Sequence, residues 1–146
     1  QCCGIFAGER IEEVDNNVFN MSSRLNSTWG GNLADMVRFS IYLEIIEQED
    51  LVKNAKELGE YLLDHLEKLQ SEYSHLVSNS RGLGLFCAFD LPDSESRDKI
   101  ARYIFEEGAI VLGSGVRSIR FRPHLNIKRS EIDLGIEKIK KALGRF

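Results

Sequence analysis

The sequence lacks any apolar run near the roughly 18–20 residues that a helical membrane span requires. It also lacks a basic excess: 19 Lys and Arg against 23 Asp and Glu give a formal net charge of −4. That balance offers no general attraction to nucleic acid or anionic lipid, and neither is expected as a partner. Cysteine is scarce, with Cys2 and Cys3 adjacent and Cys87 far from both. Three such residues make no disulfide framework and suit a reducing compartment, so a cytoplasmic location is expected. The histidines, His65, His75 and His124, are far apart in sequence, and none has a cysteine or carboxylate partner at metal-ligand spacing. No metal site is therefore expected. Proline occurs only at Pro92 and Pro123, and each closes a strand pattern.

What is present is an ordinary globular balance, 42% hydrophobic and 29% charged over 146 residues, enough for one domain or part of a larger protein. The opening run Gln1-Cys2-Cys3-Gly4-Ile5-Phe6-Ala7 reads as a buried strand rather than a signal peptide. A start in mid-strand leads us to expect the C-terminal portion of something longer. Gly8 to Asn17 is polar and acidic and reads as an exposed loop or hairpin.

The stretch Ser23-Arg24-Leu25-Asn26-Ser27-Thr28-Trp29-Gly30-Gly31-Asn32 stands directly before an apolar helical pattern that begins at Leu33. Two readings are open. Asn, Ser and Gly are common at an N-cap and its preceding turn. The same residues also suit an anion, because free N–H groups, the helix dipole and hydroxyl donors converge there.

Leu33 to Ile46 is apolar on several faces, as in a helix buried between layers or against a partner. Leu51, Ala55, Leu58, Leu62, Leu66 and Leu69 then form one stripe of a second helix. From Leu76 onward strands and helices mix. Gly82 to Leu91 is expected as a strand, and Ser94 to Glu107 as a helix with Ile100, Ile104 and Phe105 inward. Ala109 to Leu112 reads as a short strand, with Gly113-Ser114-Gly115 turning the chain. Ser118 to Arg122 alternates, with Ile119 and Phe121 on one face and Arg120 and Arg122 on the other. Ser130 and Asp133 resemble a capping box opening a last helix striped by Ile132, Ile136, Ile139 and Leu143. The layout predicts a small α/β domain of three strands and at least two helices.

For chemistry, Cys2-Cys3 in an apolar run suits a core better than a reactive thiol. Arg120 and Arg122 leave two readings open, a solvated sheet face or a fork for a carboxylate.

Three segments in order, Arg24 to Asn32, Gly82 to Asp90 and Ile119-Arg120-Phe121-Arg122-Pro123, resemble the class III pyridoxal-phosphate aminotransferases. The resemblance runs from Gln1 to the last helix. The branch taking the 6-amino group of L-lysine is nearest, and the 4-aminobutyrate branch is next. His124 departs from the family pattern, which more often has a second proline there.

The resemblance implies a fold-type-I enzyme and a homodimer, with pyridoxal 5′-phosphate as cofactor. Amino donor and 2-oxoglutarate would be its small-molecule partners. Residues 1–32 would end the large domain, 33–75 would form connecting helices, and 76–146 would form the C-terminal small domain with a short, mainly antiparallel sheet. Thr28 would donate to the cofactor phosphate of the neighbouring subunit, supported by Asn26 and Ser27, and Arg120 would hold the substrate α-carboxylate. Arg122 would be structural or supporting. The Schiff-base lysine would lie upstream of Gln1, so residues 1–146 contain no catalytic lysine and alone would be inactive. Ornithine or 4-aminobutyrate as donor, or a non-catalytic α/β interaction module, are the alternatives.

Overall fold

The computed structural model describes residues 7–25 and 27–146. Residues 1–6 of the opening strand pattern, with Cys2 and Cys3, and Asn26 lie outside them. The chain divides into two units, Gln1–Glu49 and Asp50–Phe146. That boundary falls inside the stretch expected to connect two domains.

In the first unit the polar stretch after Gly8 forms a 3-10 turn at Glu9–Glu13 rather than a hairpin. Asn17, only 3% exposed, organises it. Its amide nitrogen donates to the carbonyls of Ile11 and Val14 at 3.0 and 3.3 Å, and its oxygen accepts from the N–H groups of Phe19 and Asn20 at 2.9 and 3.2 Å. One buried amide thus meets both its donor and its acceptor needs locally. Helix α1 follows at Leu33–Gln48 and buries none of its residues. Its apolar groups cover several faces, and the described residues of its own unit offer no layer that encloses them.

In the second unit, helix α2 (Leu51–Glu72) buries Leu51, Leu58, Leu62, Leu66 and Leu69 of the stripe read from the sequence, with Ala55 partly buried. Strands β1 (Ser78–Leu83) and β2 (Phe86–Asp90) come next, then helix α3 (Ser94–Glu106). Strands β3 (Leu112–Ser114) and β4 (Ser118–Phe121) precede helix α4 (Arg129–Leu143). The four strands form one sheet in the order β1-β2-β4-β3, every pair antiparallel. The fold is α/β, with an antiparallel sheet and its helices sharing one core.

Several boundaries differ from the sequence reading for identifiable reasons. Gly82 to Leu91 is not one strand, because Gly84 takes φ +53° and folds the chain into a hairpin in which Leu83 pairs with Phe86. Glycine, with no Cβ, accepts that conformation at least steric cost. This hairpin supplies the fourth strand. Phe105 is 65% exposed rather than inward, while Ile100 and Ile104 are fully buried. The third strand lies at Leu112–Ser114 rather than Ala109–Leu112, because its ladder with β4 begins at the Leu112–Arg120 pair. Helix α4 opens two residues early: the Glu131 carboxylate accepts from the Lys128 backbone N–H at 2.8 Å, and the Ser130–Asp133 box does not form.

The core joins the α2 stripe to Cys87, Phe89 and Leu91 from β2 and its end, and to Ile119 and Phe121 from β4. Ile100, Ile104, Ile132, Ile139 and Leu143 complete it from α3 and α4. Across α2 and α4, the Tyr61 hydroxyl donates to Asp133 at 2.6 Å, and the Arg129 guanidinium lies 3.9 Å from the Tyr61 ring centre.

Candidate active site

Strand alternation places Cys87, Phe89, Ile119 and Phe121 on the helix-covered face, where all four are buried. Ala88, Asp90, Ser118 and Arg120 therefore share the opposite face. Across the strands Ala88 pairs with Arg120, and Arg120 pairs with Leu112. Asp90 pairs with Ser118 one step along.

Asp90 is 5% exposed and fully engaged. Its carboxylate accepts from the Ser118 hydroxyl at 2.6 Å, the Asn79 amide at 2.9 Å and the Arg81 guanidinium at 2.9 Å. Arg117 Nε lies 3.7 Å away. Burial pushes this carboxyl up, but the three donors outweigh burial and hold it down at about 2. The group is therefore ionised throughout the neutral range.

Arg120 is the opposite case. It is half-buried, its Nε is shut away from solvent, and its side chain makes no hydrogen bond among the described residues. Other arginines of this unit have partners: Arg81 and Arg117 have Asp90, Arg97 has Asp98, and Arg145 has Glu106 and Glu107. Arg122 is exposed. Arg120 and Arg122 border a cavity of about 350 Å³ that is otherwise lined by Val111 and Leu112 and, from α4, by Glu131, Ile132 and Ile136 among others. Its size is within the range of small-molecule sites, and its lining is largely apolar. A half-desolvated guanidinium with no partner among the described residues, beside largely apolar walls, suits a carboxylate on an aliphatic chain.

The other expected site belongs to the first unit. Asn32 is the N-cap of α1, its side-chain oxygen accepting from the N–H groups of Ala34 and Asp35 at 2.9 and 3.4 Å. The cap reading therefore holds for Asn32, and those two donors are already taken. Asp35 in the first turn adds a negative charge where an anion would gain from the dipole. What the turn offers an anion is its hydroxyls. Ser27 and Thr28 are exposed, and neither hydroxyl bonds within the described chain. Gly31 has φ +75° and open space where a Cβ would stand. Thr28 and Ser27 thus leave two hydroxyl donors open to an anion. The sequence alternation singled out Arg120, but nothing in it pointed to Ser118 or Asp90. These two meet across 28 positions, and a serine and an aspartate at strand ends carry no local signal of pairing.

A helix-covered antiparallel sheet with an unpartnered strand arginine, preceded by a small hydroxyl turn, is the setting in which the comparisons with known proteins fall. Residues 5–143 match the family described as aminotransferase class-III, and the chain belongs to that family. An L-lysine-epsilon aminotransferase of Amycolatopsis lactamdurans is 49% identical over 144 residues, 98% of this chain and 32% of that protein. A solved lysine aminotransferase from M. tuberculosis, in the internal aldimine form, superposes with a TM-score of 0.87 at 45% identity, covering 98% of this chain and 33% of the other. The mitochondrial 4-aminobutyrate aminotransferase of Sus scrofa is 39% identical over 106 residues, 73% of this chain and 21% of that protein. The chain spans about a third of the length of the lysine aminotransferases it matches.

Proposed function

We propose that this chain is the part of an L-lysine 6-aminotransferase that recognises the substrate carboxylate and lends hydroxyls to the cofactor phosphate. The complete protein would move the 6-amino group of lysine to 2-oxoglutarate, giving 2-aminoadipate 6-semialdehyde and L-glutamate. The observation that carries the reading is Arg120, half-buried on the sheet and with no side-chain partner among the described residues. The identities to lysine aminotransferases support the choice of donor.

Arg120 would take the α-carboxylate of lysine in one half-reaction and a carboxylate of 2-oxoglutarate in the other. Fixing lysine by its α-carboxylate turns the distant 6-amino group toward the chemistry, so position alone favours that amine. Apolar walls beside Arg120 exclude water and strengthen the contact. Pyridoxal 5′-phosphate, when bound, supplies the electron sink that makes proton removal beside the nitrogen feasible. Thr28, with Ser27 and Asn26 beside it, would hold the cofactor phosphate of the neighbouring subunit in a homodimer. Residues 1–32 would end the large domain, 33–75 would connect, and 76–146 would form the small domain. With two thirds of the relatives' length outside this chain, the groups that bind the cofactor ring are assigned there, and residues 1–146 alone should not transaminate.

The test is the full-length protein with pyridoxal phosphate, offered lysine, ornithine and 4-aminobutyrate separately with 2-oxoglutarate. Glutamate should form fastest from lysine. A preference for 4-aminobutyrate or ornithine would move the chain to another branch. No glutamate from any donor would leave a non-catalytic module.

A further inference from the structure

Helix α4 carries a glycine, Gly135, in its interior. A glycine there weakens a helix relative to alanine, because it has more backbone freedom to lose. Gly59 has a steric reason for standing in α2, since a Cβ on it would overlap the Gly84 backbone. Gly135 has no such reason: nothing in the described chain comes within 4 Å of the place its Cβ would take. The room it leaves belongs to the cavity of about 350 Å³, which Gly135 lines together with Ile132, Ile136 and Ile139 of the same helix.

The chemistry of the lining says what that room suits. Its charged groups are Arg120, Arg122 and Glu131, and the Glu131 carboxylate already accepts from the Lys128 N–H at 2.8 Å. The arginines suit a carboxylate. Beyond these three the lining has no polar side chain, and Leu62 joins the isoleucines of α4. The amino acids and oxo acids that an aminotransferase exchanges carry a second polar end, and burying that end unpaired among such walls is unfavourable. The room beside Gly135 therefore suits a purely apolar group.

Two features point to polypeptide as its source. Ile110 and Leu112 border the same cavity and are 80% and 45% exposed. Leu112 begins β3, which among the described residues has a sheet neighbour on one side only. An exposed apolar edge of this kind is a template for a further segment. This chain also spans about a third of the length of the lysine aminotransferases it matches, so a complete protein of that length has polypeptide to cover the edge.

We propose that the cavity is the seat of an apolar side chain from the part of the complete polypeptide outside residues 1–146, and that position 135 is glycine to leave room for it. The seated segment covers Ile110 and fills the apolar side of the cavity, leaving the arginines to the carboxylate. This holds whichever amino donor the enzyme uses.

Thermal melts of the full-length protein with its cofactor, and without substrates, test the proposal. Leucine is the better helix former, so on an unoccupied face Gly135→Leu should raise the midpoint. With the seat filled, the added side chain competes for the same space and should lower the midpoint by about 3 °C or more. Ile110→Lys should lower it similarly, whereas a residue that stays exposed tolerates lysine. Should Gly135→Leu not fold, Gly135→Ala takes its place with a smaller fall expected. A raised or unchanged midpoint in the glycine variants would overturn the proposal, and a higher KM for the donor alongside it would make the cavity part of the substrate site. Ile110→p-benzoylphenylalanine, irradiated and mapped by mass spectrometry, then identifies the occupant. A bridge to a peptide from outside residues 1–146 is expected. No bridge, or one to a peptide within those residues, as a second copy docked through this unit would give, would contradict the choice of occupant.

Discussion

Asp90 and Arg120 stand on one sheet face with opposite fates, and the difference lies in how many partners each has. The aspartate has three hydrogen-bond donors, and the arginine has no partner in the described chain. Because the Asp90 carboxyl is held at about 2, from an ordinary 3.8, its stabilising contribution is present above pH 4 and is lost as pH falls from about 4 toward 2. That shift corresponds to about 2 kcal/mol. Urea midpoints of the intact protein should therefore fall through that window. Asp90→Asn should be less stable at pH 7 and show a shallower acid limb. Parallel limbs for the two proteins would show that Asp90 does not carry this stability. At this scale, Arg120 was legible in the alternation of Ile119, Arg120, Phe121 and Arg122. The sequence left open whether that face was solvated or functional, because partners contributed by distant strands are invisible to local spacing. Asp90 illustrates this: its donors come from positions 79, 81 and 118.

Periodicity located the second and last helices well. The α2 stripe and the Ile132, Ile139 and Leu143 positions of α4 are buried as their spacing of three and four implies. Boundaries depended on contacts that periodicity does not carry. Phe105 fits a helical stripe with Ile104, yet lies on the solvent side of α3. The β1–β2 hairpin was missed because Gly84 stands within a continuous apolar run that hides its turn. That turn packs directly against α2: a Cβ on Gly59 would overlap the Gly84 backbone. No rotamer relieves a clash with backbone, so helix and hairpin would have to separate. Gly59→Ala should cost about 1–3 kcal/mol or more, although alanine is the better helix former. A thermal melt checks it, and an unchanged or raised midpoint would contradict so close an approach. The consequence reaches the site, since β2 is the strand against which β4 presents Arg120.

Across the whole molecule, the two units carry different parts of the proposed chemistry. Gln1–Glu49 holds the Ser27–Thr28 turn and a helix that buries none of its apolar groups, and Asp50–Phe146 holds the core and Arg120. The fold class was legible because a mixed pattern of stripes and alternation permits few layer arrangements. The function was legible only through motifs in order, since the cofactor phosphate and carboxylate roles involve residues whose local surroundings are ordinary turns and strands. The central claim is that Arg120, and not its strand neighbour Arg122, receives the carboxylate. The most direct measurement is steady-state kinetics of full-length Arg120→Ala and Arg122→Ala with lysine and with 2-oxoglutarate. Loss of a desolvated charge-assisted contact costs about 2–5 kcal/mol. Arg120→Ala should therefore lower kcat/KM for both substrates by roughly 30-fold or more, with Arg122→Ala much closer to wild type. Equal losses in the two variants, or unchanged kinetics in Arg120→Ala, would contradict the assignment.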